Sequence, residues 1–297
     1  MKNSKAAGIS FVFLSAVIFG FTPVLAGISY QGGNNGVNMA FLRALLPLPA
    51  LLLLGRWQGG RPAPRQIGLG VLLGCMQFGC TLLLYSSYSY ISVGMATTLH
   101  FLYPLLVVCW RALADRKRPG ALKLAGLVLG LAGVVCLLEP GGEVLHPTGA
   151  ALALLSSVFF AAYMLILQKE NHHPLPLYQL TGIISLTGVA VCGAAGAALG
   201  KLTFSLTPEA WGYAAACALL VSIGGSALLQ AGVRRVGDAN ASIYSLLEPI
   251  TSILFGMLLL SETFTPRKAL SCGLILLGLL LTALCDRRET KEGRDVP

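Results

Sequence analysis

Three ionisable side chains, Glu248, His100 and Arg43, lie within long apolar segments of this 297-residue chain. Ionisable groups are costly in hydrocarbon, so each one marks either a functional site or a group that satisfies neighbouring helices. A carboxylate in the membrane can bind a proton or an organic cation, and a histidine titrates near neutrality. These three residues are therefore the first candidates for a site that binds a substrate or a coupling ion.

Glu248 is expected near the centre of the bilayer. It follows Asp238 by ten residues, which corresponds to about 15 Å of helix, or half of a hydrocarbon core about 30 Å thick. Its carboxylate fits a cation or proton site, but it also fits a structural group satisfied by Arg43 or by nearby hydroxyls. Arg43 could instead extend towards the outer surface, and His100 could be a hydrogen-bonded core residue.

Prolines break two of the apolar segments at equivalent places. Pro104 and Pro249 cannot donate to the carbonyl four residues earlier, so the carbonyls of His100 and Ser245 are released from the helix ladder. Free carbonyls at this depth are tolerated only where they face protein or a wet cavity. The two segments are therefore predicted to line one cavity.

In both segments, polar side chains close to the proline share one helix face. His100 and Tyr103 are three residues apart, while Tyr244 and Ser245 lie one turn before Glu248. Other aromatic and amide side chains could complete a substrate site, although an aromatic residue at helical spacing also fits simple packing. These further candidates are Phe19, Gln77, Tyr85, Tyr88, Tyr163 and Gln230.

The elements that must position these residues are membrane-spanning helices. Only 11% of the residues are charged, 55% are hydrophobic and the mean hydropathy is +0.75, which excludes an ordinary soluble domain. Apolar runs long enough to span a bilayer recur along the chain. We predict an all-α membrane protein with ten transmembrane spans near 6–29, 37–55, 67–90, 95–114, 121–138, 148–168, 175–199, 208–232, 239–260 and 268–285.

The net charge of +9 indicates orientation rather than a nucleic-acid partner. With the N-terminus inside, 17 of the 21 Lys and Arg residues fall in cytoplasmic segments, and only Lys201, Arg267 and Lys268 fall outside. We therefore expect a multi-pass protein of the cytoplasmic membrane with both termini in the cytoplasm.

The two halves of the chain resemble each other. Span one matches span six at an offset of 141 residues, and span four matches span nine at an offset of 145. The first match pairs Gly8, Leu14, Ser15, Val17 and Phe19 with Gly149, Leu155, Ser156, Val158 and Phe160. A unit with an odd number of spans inverts when it is repeated. We expect two inverted five-helix repeats, residues 1–145 and 146–297, with a substrate site between them.

Other functions lack the residues they need. The sequence contains no nucleophile elbow, no zinc-protease motif, no paired intramembrane aspartates and no phosphate-binding loop.

The eight cysteines lie in or at the ends of predicted spans without C-x-x-C spacing and are expected to be packing residues. Gly126, Gly130 and Gly133 predict a close helix contact. We expect no enzyme activity, metal, cofactor or nucleic-acid partner. The oligomeric state stays open, and a monomer is compatible with the sequence.

Three segments of the sequence resemble the EamA-type family of the drug/metabolite transporter superfamily. They are LSAVIFGFTPVLAG in span one, MAFLRALLPLPALLLL with Arg43 in span two, and LLEPITSILFGMLLLSETFTPRKALSCGLILLG across spans nine and ten. The last contains Glu248-Pro249 and the turn Ser261-Glu262. The first half departs from the family pattern, because Asp115-Arg116-Lys117-Arg118 stands where a Gly-Glu turn often ends span four.

The resemblance implies a ten-helix basket whose central cavity lies between the halves. It also implies a secondary transporter working by alternating access, most often an exporter of amino acids or related metabolites. Import of a choline-like organic cation or a vitamin stays an alternative, since Glu248 with several aromatic side chains also suits a cation. A small-molecule substrate, the lipid bilayer and a coupling proton or cation are the expected partners.

Overall fold

The computed structural model describes residues 2–60, 62–114, 120–137, 146–169, 175–236, 244, 247–262 and 265–292. Within these residues all regular secondary structure is helical. The predicted all-α class is therefore confirmed for the described part of the chain.

The helices follow the predicted spans closely. The first part of the chain forms α1 (Lys2–Gln31), α2 (Gly36–Leu45), α3 (Leu48–Trp57), α4 (Pro64–Ser87), α5 (Val93–His100), α6 (Tyr103–Ala114) and α7 (Ala121–Leu137). The second part forms α8 (Pro147–Lys169), α9 (Leu177–Ala198), α10 (Pro208–Leu219), α11 (Ser226–Val236), α12 (Leu247–Leu260) and α13 (Pro266–Glu292). A π-helical turn, Leu220–Gly225, joins α10 to α11.

Proline residues explain two of the interruptions between consecutive helices. Pro47 lies between α2 and α3, and Pro104 lies in the first turn of α6. Because a proline has no N–H to donate, each sits where a helix begins rather than inside it. The expected break after His100 is confirmed, since α5 ends at that residue and α6 starts at Tyr103.

Among the residues that the structure describes, six helical stretches are long and apolar enough to cross a membrane. They are Ala6–Gln31, Gly36–Trp57, Pro64–Ser87, Pro147–Leu167, Leu177–Ala198 and Pro266–Cys285. Shorter apolar helices cover Val93–Val107, Ala121–Gly133 and Leu247–Leu260. Large apolar side chains lie on the outer surface, including Leu113 at 78% and Leu258 at 74% exposure. Such a surface is suited to lipid, which makes the chain a multi-pass membrane protein.

The larger helix contacts of the first part have counterparts in the second. Helix α1 packs against α10, the π turn, α11 and α12, while α8 packs against α4, α5 and α6. Helices α2 and α3 pack against α9, and α7 packs against α13. If span one is exchanged with span six, span two with span seven, and so on through the ten predicted spans, the same set of contacts is obtained. Most large interfaces therefore join one part of the chain to the other.

The predicted glycine contact lies between α7 and α13. A Cβ atom added at Gly133 would lie 2.6 Å from the side chain of Ile275 and 2.8 Å from the carbonyl oxygen of Ser271. The Ser271 hydroxyl donates to the Gly133 carbonyl at 2.6 Å. Gly126 meets Gly278 in the same crossing. The close approach predicted from Gly126, Gly130 and Gly133 is confirmed.

Candidate functional site

Glu248 lies in the first turn of α12, where α1 approaches the backbone very closely. A Cβ atom at Gly20 would collide with the Glu248 carbonyl oxygen and the Thr251 hydroxyl. That hydroxyl donates to the Leu247 carbonyl and, at 3.0 Å, to the Glu248 carbonyl. The absence of a side chain at Gly20 therefore fixes the position of Glu248 against α1.

The Glu248 side chain points away from lipid. Ile250, Leu254 and Leu258 form the exposed face of α12, at 38%, 47% and 74% exposure. Glu248 precedes Ile250 by two residues, which places it about 200° around the helix from that face. The side of α12 that carries Glu248 packs against α1 and α5. Its carboxylate therefore lies inside the helix bundle.

No hydrogen bond or ion pair involves the Glu248 carboxylate among the described residues. An unpaired charge inside the bundle is costly, which favours a binding role over a structural one.

Arg43 extends from α2 towards α4 rather than towards the outer surface. Its Nη1 atom donates to the Tyr85 hydroxyl at 3.2 Å and lies 3.5 Å from the Thr81 hydroxyl. The guanidinium carbon is 5.4 Å from the centre of the Tyr85 ring. Both hydrogen bonds use one nitrogen, although a guanidinium has five N–H donors. Arg43 therefore keeps donors for a further partner.

Tyr85, on α4, connects Arg43 to helices α10 and α1. Its hydroxyl lies 3.5 Å from Cys217 Sγ on α10, and its carbonyl accepts a 2.8 Å hydrogen bond from the Tyr30 hydroxyl on α1. The ring of Tyr88 lies 5.4 Å from that of Tyr85. The Tyr88 hydroxyl is buried close to Thr97 but makes no well-formed hydrogen bond with any described residue.

Polar side chains form a stripe along α4 that ends at Tyr85. Gln77, Thr81 and Tyr85 follow one another at intervals of four residues and so share one face. Thr81 donates back to the Gln77 carbonyl at 2.9 Å. Gln77 and Tyr85 were predicted from the sequence, whereas Thr81 was not. Its spacing midway between them was the signal that could have identified it.

An aromatic cluster connects α5, α6 and α8. Its members are His100, Tyr103, Phe160 and Tyr163. The Phe160 ring lies 5.2 Å from His100, 4.6 Å from Tyr103 and 5.6 Å from Tyr163. The rings of His100 and Tyr103 are 5.7 Å apart. The structure therefore brings three predicted site residues together around Phe160.

The tautomer of His100 follows from its partner. Ser156 Oγ lies 3.0 Å from His100 Nδ1 and donates its only proton to the Ala153 carbonyl at 2.6 Å. The serine can therefore only accept from the ring, so Nδ1 carries the proton. In the neutral ring Nε2 is then a free acceptor. The hydrogen bond to Ser156 supports the reading of His100 as a satisfied core histidine.

Glu248 interacts electrostatically with Tyr103 of the aromatic cluster and with Arg43. No described atom pair joins Glu248 to Arg43 within the 4.0 Å of an ion pair. The two opposite charges are therefore coupled without a direct ion pair.

The remaining predicted site residues lie elsewhere. Phe19 packs against Gly225, the last residue of the π turn, where an added Cβ would lie 2.6 Å from its ring. Tyr244 packs against the cluster of Val12 and Val236, apart from the aromatic cluster. Ser245 and the side chain of Gln230 lie outside the described residues.

The π turn was not predicted from the sequence. Ser15 on α1 donates to the Gly225 carbonyl at 2.9 Å, and Ser226 donates to the Val221 carbonyl at 2.9 Å. These hydroxyls satisfy backbone oxygens that the wider helix leaves free. In the predicted repeat, Ser15 and Phe19, which contact this turn, correspond to Ser156 and Phe160, which contact His100.

A second acidic residue closes the far end of α12. Glu262 Oε1 accepts a 2.5 Å hydrogen bond from the Val93 amide, and Oε2 accepts one of 3.2 Å from the Gly94 amide. These are orphan donors of the first turn of α5. Ser261, with φ of 54°, is the only described non-glycine residue in the left-handed region, and it turns Glu262 towards them.

Comparison with known proteins agrees with this architecture. The EamA-like transporter family matches residues 6–139 and 147–284. The uncharacterized inner membrane transporter YicL of Salmonella typhimurium is 29% identical over 97% of this chain and 99% of its own length. The threonine/homoserine exporter RhtA of Escherichia coli is 31% identical, covering 75% of this chain and 72% of its own.

One solved crystal structure of a protein shares the fold. It superposes with a TM-score of 0.66 at 20% identity and covers 94% of this chain and 98% of that chain. The helices and the enclosed charges define a multi-pass membrane protein of the transporter class. With two family matches that cover nearly its whole length, the chain belongs to the EamA-like transporter family.

Proposed function

We propose that this protein is a secondary transporter that exports amino acids or related small metabolites by alternating access. The observation that carries the proposal is the Glu248 carboxylate, which lies inside the bundle without a described protein partner. It interacts electrostatically with Tyr103 and Arg43, and its helix packs against α1 and α5 of the first part of the chain. The homologous exporter acts on threonine and homoserine, which supports amino acids as the substrate class.

The proposed mechanism uses ten spans in two inverted repeats, residues 1–145 and 146–297. Two separate matches to one family and the exchange symmetry of the helix contacts support this arrangement. Inverted repeats that rock against each other open a shared site to each side of the membrane in turn. Reporter fusions after Gly36 and after Gly59 should lie on opposite sides, with Gly59 and both termini cytoplasmic. Fusions in the same compartment would contradict the span count.

An organic cation is the second candidate substrate. The electrostatic interaction of Glu248 with Tyr103, which belongs to an aromatic cluster, favours it, because anionic and aromatic groups together stabilise quaternary amines. In that case the protein would import a choline-like amine, and a vitamin with a cationic ring would bind in a similar way.

Proteoliposomes containing the purified full chain test the transporter proposal. They are loaded with unlabelled amino acids, choline or thiamine and given the same compound in radiolabelled form outside. Exchange should accumulate label for amino acids and not for choline or thiamine. Accumulation of choline or thiamine alone would favour the second candidate, and no accumulation above empty liposomes for any compound would contradict both.

A further inference from the structure

A groove of about 220 Å³ lies between α3 and α9, and none of the candidate site residues described above lines it. Leu52 on α3 and Leu186 on α9 both line this groove, and they are 48% and 55% exposed. In a membrane protein, large exposed apolar side chains face hydrocarbon. The groove therefore opens sideways to lipid, and a water-soluble molecule has no direct way into it.

The groove is polar at one end and apolar along the rest. Arg56 and Tyr178 line it where α3 ends and α9 begins, and Trp57, next to Arg56, is 76% exposed. Tryptophan and tyrosine concentrate where a membrane meets water, which locates this end at the membrane surface. The lining then continues along α9 as far as Leu186. Eight residues of helix separate Tyr178 from Leu186, or about 12 Å. That length is close to the depth of one leaflet, about 15 Å of hydrocarbon.

Most polar groups at this end already have partners in the protein. The Gln179 amide nitrogen donates to the Gly59 carbonyl at 2.6 Å, and Gln58 Oε1 accepts from the Tyr178 amide at 2.9 Å. These bonds fix the polar end against α9. The guanidinium of Arg56, by contrast, is exposed and makes no hydrogen bond or ion pair with any described residue. Within the described part of the chain it is also the only charged side chain that lines the groove.

We propose that this groove binds an anionic phospholipid of the predicted cytoplasmic leaflet, with the phosphate on Arg56 and one acyl chain between Leu52 and Leu186. A guanidinium binds phosphate through paired N–H donors, and basic pockets between transmembrane helices at the cytoplasmic face are suited to anionic head groups. A zwitterionic lipid would bring its own cation near Arg56. A free phosphate ester would leave the apolar walls uncovered. The lipid site is separate from the substrate site and does not depend on which substrate is carried.

Matched ligands separate the contributions of head group and tail. The detergent-purified full chain, freed of native lipid, is mixed with phosphatidylglycerol, with phosphatidylcholine of the same acyl chains, or with glycerol 3-phosphate. Native mass spectrometry counts the molecules that remain bound. Phosphatidylglycerol should bind about fivefold more tightly than phosphatidylcholine, as expected for one basic residue beside an anionic lipid. Glycerol 3-phosphate should not bind. Equal affinity of the two phospholipids, or retention of glycerol 3-phosphate as tight as that of phosphatidylglycerol, would overturn the proposal.

Replacing Arg56 tests the head-group contact. Arg56→Gln should weaken phosphatidylglycerol about fivefold, to the level of phosphatidylcholine, and leave phosphatidylcholine unchanged. Arg65→Gln is the matched control, because Arg65 is exposed in the first turn of α4 and does not line the groove, so it should change neither lipid. The same loss in both variants would indicate a diffuse attraction of the basic surface for anionic lipid, and the specific site would be wrong.

Replacing Gly182 tests the position of the acyl chain. Gly182 lines the groove, and an added Cβ would lie 3.9 Å from its nearest neighbours, the Leu51 carbonyl oxygen and Leu52 Cδ2. Gly182→Ala therefore fits without a clash, whereas Gly182→Leu extends into the groove. The leucine variant should weaken both phospholipids about tenfold, as overpacking does, and the alanine variant should weaken both by less. The unfolding temperature checks that each variant folds, and the alanine variant keeps the test valid if the leucine variant does not.

Two results would contradict this position. Unchanged binding of both phospholipids in the folded Gly182 variants would mean that the acyl chain lies elsewhere. A second copy of the chain is the other possible occupant of such a groove. If the unaltered protein retains no lipid and is a dimer that the Gly182 variants convert to a monomer, the groove is an interface between copies and the lipid proposal is wrong.

Discussion

The two acids at the ends of α12 have opposite surroundings. Glu262, just beyond the helix, accepts hydrogen bonds from two backbone amides of α5. Glu248, in the first turn, accepts none from any described residue. A carboxylate that completes the hydrogen bonding of another helix stabilises the fold, whereas one inside the bundle without a described partner is available to a ligand. The bonding of each acid, rather than its depth, therefore predicts its role.

The sharpest separation of the two roles should come from Glu248→Gln. Because the carboxylate has no described partner to lose, the variant should unfold at the same temperature as the unaltered protein or higher. Amino acid exchange in proteoliposomes should fall by about a hundredfold, as expected when a charge that binds substrate directly is removed. Full exchange with unchanged pH dependence would reduce Glu248 to a structural group. Loss of folding without any other defect would do the same.

Glu262→Ala should instead act on stability. It leaves the amides of Val93 and Gly94 without their charged acceptor, and each such hydrogen bond contributes about 1.5–3 kcal/mol. We expect the free energy of unfolding to fall by about 3 kcal/mol, measured by thermal unfolding in detergent. Ligand affinity of the remaining folded protein should be unchanged. The exposed acid Glu209, replaced by Ala, is the control. If Glu262→Ala has normal stability but fails to bind ligand, Glu262 rather than Glu248 would be the acid with the binding role.

A smaller effect is expected from Gly256→Ala. The added Cβ would lie 2.7 Å from Glu262 Oε2 and would push this carboxylate away from α5. Because the contact is with the end of a flexible side chain, the cost should be about 1 kcal/mol. In a Glu262→Ala background the same substitution should cost nothing, since alanine is then the better helix former. Equal costs in both backgrounds would mean that Gly256 does not act through Glu262.

Sequence patterns predicted the helices well because the bilayer constrains them strongly. The length of the apolar runs, the flanking charges and the prolines predicted most helix ends to within a few residues. They also predicted the break between His100 and Tyr103. The spacing of Gly126, Gly130 and Gly133 also predicted a real contact. These features depend on residues that are neighbours in the chain or on one helix face, so a single sequence contains them.

Contacts between distant helices could not be predicted in the same way. That Arg43 would turn to Thr81 and Tyr85, or that Glu262 would bond to the amides of α5, depends on how helices pack, and no local pattern encodes it. The π turn is a similar case, because Leu220–Gly225 reads as an ordinary apolar helix until Ser15 is placed beside it. Helical spacing also grouped Tyr244 with Glu248, although Tyr244 packs elsewhere.

The smallest effect should come from Tyr244→Phe. Helical spacing puts Tyr244 on the face of Glu248 and predicts that its hydroxyl contacts substrate. The structure packs this residue against Val12 and Val236, near Ile9 and Leu229. Phenylalanine keeps the ring that makes those contacts and removes only the hydroxyl, so exchange and unfolding temperature should both change little. Tyr88→Phe is the matched comparison, because it removes the same atom from a residue beside Tyr85 and should weaken amino acid binding several-fold. If Tyr244→Phe proves the more damaging of the two, the spacing argument is right and the site extends along α12 towards its N-terminal end.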